Sequence, residues 1–167
     1  KALTPYGTVV QSIPLDVGGE IVPWEIVHPF AFLWYVTSMC KGFAALMAGT
    51  IAKTASKCLS LIFYGAELTP GNNLRSDKGR QSFCFYYAFV EWSTWLLHRK
   101  DCWLNFGALR TRILAKIRGG VSALMAKILR LLFVDGVANF TKGFFIMHED
   151  APLVCRASFK GFLADEK

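Results

Sequence analysis

The chain has 167 residues, of which 53% are hydrophobic and only 19% charged, with 14 Phe, 5 Trp and 5 Tyr. Its formal net charge is +7, its pI is near 9.3 and its mean hydropathy is +0.34. This composition excludes disorder and the collagen-like or low-complexity classes, and so much aromatic surface is hard to hide in a small water-soluble domain. The expectation is an all-α integral membrane protein with two or three transmembrane helices, a basic amphipathic helix and an irregular N-terminal arm.

Residues 1–28 mix Pro5, Pro14 and Pro23 with Gly7, Gly18 and Gly19. Proline and glycine interrupt regular structure, so this stretch reads as an extended arm. The helical membrane domain is expected over 29–147. Its strongest element is PFAFLWYVTSMCKGFAALMAGTIA (29–52), which carries one charge, Lys41. About 20 apolar residues cross a bilayer core. Ala44, Ala48 and Ala52 recur every four residues, as do Ala45 and Gly49. That spacing predicts a face where two helices approach closely. KCLSLIFYGAEL (57–68) extends the helix or lies along the membrane, and LTPGNNLRSDKGR (68–80) is a polar turn.

The second apolar block, 82–97, contains Glu91 and is expected to span a tilted or thinned bilayer. In WLNFGALRTRILAKIRGG (103–120), a helix over 103–118 gathers Trp103, Phe106, Leu109, Ile113, Leu114 and Ile117 on one arc. Arg112 and Lys116 lie opposite, so Arg110, Arg112, Lys116 and Arg118 are expected to meet anionic lipid or an acidic partner. Nucleic acid is not expected, because no binding motif accompanies the charge. A helix over 121–140 is apolar nearly all round and carries Arg130 and Asp135. Residues 148–167 read as a polar tail. The loop between the first two spans and the stretch 99–118 are both basic, so the positive-inside rule gives no single orientation.

Five cysteines stand at 40, 58, 84, 102 and 155, with no CxxC. The paired spacing of 18 separates each pair by roughly 27 Å on a continuous helix, too far for a disulfide. They read as buried apolar thiols. No HxxxH, HExxH, P-loop, GxGxxG or GxSxG occurs, so no familiar catalytic or metal-binding constellation is present. In an antiparallel pair of spans, His28 and His98 would share one membrane face, where two imidazoles can ligate haem iron or one can bind a quinone. Lys41, Glu91, Arg130 and Asp135 would be intramembrane charges, which are costly unless paired, and Lys41 with Glu91 is the expected pair.

The resulting expectation is a non-catalytic accessory subunit of a multisubunit membrane complex, of respiratory-chain, ATP-synthase or photosystem type. Its partners would be other subunits and anionic lipids. The start at Lys1 and the basic character point to an organelle, the mitochondrial inner membrane or the thylakoid. Three alternatives stand beside it: a haem- or quinone-binding anchor using His28 and His98, a small channel or transporter component, and a soluble lipid-binding helical domain.

Overall fold

The computed structural model describes residues 2–69 and 81–164. In chain order the strands are β1 (Leu3–Thr4), β2 (Gly7–Thr8), β3 (Val10–Val17), β4 (Glu20–Val27), β5 (Leu59–Leu68), β6 (Ser82–Phe89), β7 (Leu104–Arg110), β8 (Phe144–His148), β9 (Ala151–Cys155) and β10 (Ala157–Ala164). The helices are α1 (Pro29–Met39), α2 (Lys41–Lys53), α3 (Thr94–Leu97), α4 (Thr111–Leu114) and α5 (Gly120–Phe133). Six strands form one sheet in the order β10-β5-β6-β7-β4-β3, in which only the β10–β5 pair is parallel. Strand makes up 43% and helix 32%, so the all-α expectation is overturned in favour of a mixed α/β fold.

The supposed first span is two helices. Cys40 takes an extended conformation (φ −122°, ψ 99°), and the chain bends by 117° between α1 and α2. Each helix buries one stripe, Phe30, Ala31, Leu33 and Thr37 on α1 and Ala44, Met47, Thr50 and Ile51 on α2. Among the described residues no single helix is long and apolar enough to cross a membrane; the bent pair passes that test only by joint length and composition. The transmembrane expectation is therefore corrected, and with it the placement as an integral protein of the mitochondrial inner membrane or thylakoid.

The other segments differ for related reasons. Within 57–68, Leu59–Leu68 form β5, and 82–97 divide into β6, a turn and the four-residue α3. The amphipathic stretch 103–118 is β7, then α4 and two irregular turns. Only 121–133 of the expected 121–140 helix is helical, as α5. From residue 70 onward, the expected polar turn at 68–80 lies outside the described residues, as do residues 165–167.

The N-terminal arm is regular too. β3 and β4 form a hairpin whose turn is Gly18–Gly19, at φ +66° and +93°, with the Gly19 N–H donating to Asp16 Oδ1 at 2.7 Å. Positive φ at both positions is what a two-residue hairpin turn needs, and glycine supplies it without strain. Pro14 and Pro23 oppose each other across the hairpin. β3 is a sheet edge, one of the places where a strand tolerates proline. The tail expected at 148–167 contains the end of the β8–β9 hairpin, and then β10, which runs along β5.

Aromatic and aliphatic side chains from all these elements meet in one core. Phe63, Phe85, Tyr87, Phe89, Phe106 and Phe140 are fully buried, joined by Trp24, Phe30 and Phe144. Each large apolar side chain so removed from water contributes about 1.5–3 kcal/mol. This core absorbs the aromatic excess that suggested a bilayer.

The sheet has one weak seam. β4 and β7 pair at Ile26↔Gly107 alone. Trp24 closes the gap, its Nε1–H donating to Ala108 O at 2.9 Å while its ring stands against Phe85 and Phe106. A Cβ on Gly107 would lie 3.2 Å from Trp24 Cζ2 and 3.5 Å from Glu25 O. Replacing Gly107 with Val is expected to cost about 1–3 kcal/mol through overpacking. A lowered urea midpoint checks this; an unchanged midpoint would mean the seam has slack. The β8–β9 turn is strained in a different way, since Glu149 and Asp150 sit at φ 50° and 60°. Asp150→Gly should raise stability by about 1 kcal/mol by relieving that conformation; a lower melting temperature would contradict this account.

Candidate functional site

Between Cys102 and Val134 the chain has no Asp or Glu, yet carries Arg110, Arg112, Lys116, Arg118, Lys127 and Arg130. All six are exposed. The local pattern explains why. Phe106, Leu109 and Leu114 turn into the core, so their neighbours Arg110 and Arg112 face out. α5 buries Leu124, Met125, Ile128 and Leu132, one stripe at helical spacing. Lys127 and Arg130 fall outside that stripe. Arg130 meets Asp135 at 3.4 Å, but both are well exposed (72% and 50%), so the pair contributes little. Exposed cations in a run with no intervening carboxylate make a positive surface potential that draws anionic partners.

A cleft of about 430 Å³ opens beside this face, between the β3–β4 turn and the start of α5. Its lining is Leu15, Asp16, Gly18, Gly19, Ile117, Arg118, Ala123, Leu124 and Lys127. The walls approach closely: a Cβ on Gly18 would lie 3.8 Å from Lys116 O. Leu15 and Leu124 are 3% and 1% exposed, so they form the apolar floor. Arg118 and Lys127 stand at its rim. Asp16 is the sole carboxylate in the lining, and it already accepts the Gly19 N–H. α5 has no acidic residue of its own in its first turn, so nothing on the helix offsets the positive field at this end. Of this cleft, the sequence pattern identifies Arg118 as a partner contact and Ile117 as apolar, but not Lys127, Leu15 or Leu124 as parts of the same site. The Gly18–Gly19 pair was the available signal, because it marks a hairpin that brings Leu15 against α5.

The remaining predicted residues are dispersed. The antiparallel spans that would have faced His28 with His98 do not form, and with them goes the arrangement that suggested haem or quinone. His28 follows β4 and is buried edge-on against Phe30, ring centroids 5.1 Å apart. His98 is exposed at the end of α3. Glu91 does not meet Lys41: both its carboxylate oxygens accept the Ser60 N–H at 2.9 Å. Lys41 is exposed and lines a second cleft, of about 530 Å³, with Ser38, His148, Glu149 and Asp150. Arg130 and Asp135 form an ion pair, and among the described residues no group of three His, Cys, Asp or Glu side chains is placed to hold a metal.

Of the small residues expected to pack helices, Ala44 is buried, Ala48 and Gly49 are half-buried, and Ala45 and Ala52 are exposed. Ala45 and Gly49 border a groove with Trp92 and Leu96. The cysteines are all free thiols, buried at Cys84 and Cys155, half-buried at Cys58 and Cys102, and exposed at Cys40.

Comparison with known protein families, with curated proteins and with solved structures finds no match to this chain.

Burial pushes the His28 imidazole down from its ordinary value near 6.5 to about 4. The unfolded chain therefore binds a proton that the folded chain refuses between those two values. Stability present above pH 6.5 is lost as the pH falls toward 4, by about 2 kcal/mol between pH 7 and pH 5. Urea midpoints across that range test this, and the His28→Phe variant should lack this part of the slope; an identical slope would assign it to other groups.

Proposed function

We propose that this chain is a non-catalytic binding subunit that docks an acidic stretch of a partner polypeptide on the face formed by α4, α5 and the β3–β4 turn. One observation carries the reading: six exposed cations lie in a stretch without a single carboxylate. A bilayer is a poorer fit. A surface-lying helix must offer its apolar side to lipid, whereas Phe106, Leu109, Leu114, Leu124 and Ile128 are spent on the core. A nucleic acid is also a poorer fit, because sequence-tolerant binding of single strands relies on exposed aromatic rings. The exposed tryptophan here, Trp95, sits on α3 under Arg99 rather than on this face.

The test is fluorescence anisotropy with a labelled ten-residue glutamate peptide over a salt series. Affinity should fall steadily as salt rises. Changing Arg112, Lys116, Arg118 and Lys127 together to Gln should weaken binding by roughly 30-fold, at about 0.5 kcal/mol per charge. Changing Lys53, Lys57, Lys142 and Lys160 instead should weaken it far less. Equal losses in the two variants would reduce the effect to net charge and overturn the proposal. Tighter binding to duplex RNA or to phosphatidylserine vesicles at the same salt would also overturn it.

A further inference from the structure

Resting on that reading, we infer that the cleft beside α5 is the selective element of the face: it receives one apolar side chain of the partner, flanked on both sides by carboxylates. The cleft's two chemistries sit in a fixed order. Ala123 and Leu124 lie in the middle of the α5 wall, with Leu15 and Ile117 completing an apolar floor. Arg118 precedes the helix and Lys127 lies further along it, so the two cations bracket the floor. Gly120 to Lys127 alone rises about 10 Å along the helix axis. Carboxylates two residues to either side of a central residue are about 13 Å apart in an extended peptide. The recognised pattern is therefore acid-x-apolar-x-acid.

Asp16 strengthens the choice of an apolar centre. Its carboxylate lines the same cleft, so a third acid entering there would meet a like charge next to a floor that offers no hydrogen bonds. A volume of about 430 Å³ lies within the ordinary range of ligand-binding clefts, about 300–1,000 Å³. The cations thus draw the segment in, and the floor distinguishes one acidic segment from another.

The experiment compares two labelled peptides of equal charge, Gly-Glu-Gly-Leu-Gly-Glu-Gly and the same sequence with Ala in place of Leu. The Leu peptide should bind about tenfold tighter, from the extra apolar area removed from water. The preference should persist in high salt even as both affinities fall, because apolar burial is not screened. In an Ala123→Phe variant, whose added ring occupies the cleft, the two peptides should bind alike while retaining their charge-driven affinity; circular dichroism checks that the variant is folded. Methyl NMR on the wild-type protein provides a readout independent of any variant: Leu15 and Leu124 resonances should move with the Leu peptide and not with the Ala peptide. Equal affinities on the wild-type protein would overturn the cleft's role and leave the basic face standing. A Leu preference that leaves those methyls unmoved would also overturn it. Failure of both peptides to bind would overturn the basic-face reading and this inference together.

Discussion

One face of the central sheet carries Phe63, Phe85, Tyr87, Phe89 and Phe106, and the rest of the fold is arranged to keep those rings out of water. Trp24 closes one side against Phe85 and Phe106. Phe30 on α1 and Phe144 on β8 reach the layer through Phe140, which touches both and also Phe89. Most of these pairs meet edge to face, with Trp24–Phe106 tilted, and each adds directional packing to the area it buries. The bend at Cys40 lets α1 and α2 both pack against β8, and each then buries its own apolar stripe.

That burial also produces the positive surface. Once Leu124, Met125, Ile128 and Leu132 are committed to the core, helical spacing leaves Lys127 and Arg130 no place but the outside. Phe106, Leu109 and Leu114 do the same for Arg110 and Arg112. No carboxylate intervenes over this stretch, so core formation and charge display are two results of one pattern. The β3–β4 turn then supplies the opposite wall of the cleft, which no residue between 102 and 134 encodes.

Legibility differed sharply between elements. The start of the helix expected over 121–140 is readable because Gly119–Gly120 precedes a long apolar run, whereas its end is not, since the helix stops at Phe133. The stretch 103–110 was misleading: Phe106 and Leu109 share a helical arc, yet they lie in β7, where a register shift between Phe85 and Tyr86 of the neighbouring strand disturbs simple alternation. The block 82–89 is apolar on both sides because small residues, Cys84 and Ala88, are buried on the face away from the rings. A strand covered on both faces has the same apolar profile as a short membrane span. The cations of the site were legible as charge; the Leu15 floor was not, because it comes from a hairpin about a hundred residues earlier in the chain.

By itself the sequence determined how much apolar surface had to be hidden, where a run of positive charge lies without an intervening carboxylate, and that a helix starts near residue 121. Only the tertiary structure decided what does the hiding. Composition measures the demand for burial and is indifferent to whether lipid or other side chains meet it. Here the partners are long-range, such as Trp24 with Ala108 and Leu59 with Ala157. Contacts between residues so far apart in the chain leave no periodic trace in either segment, so a core built from them looks, segment by segment, like a membrane protein.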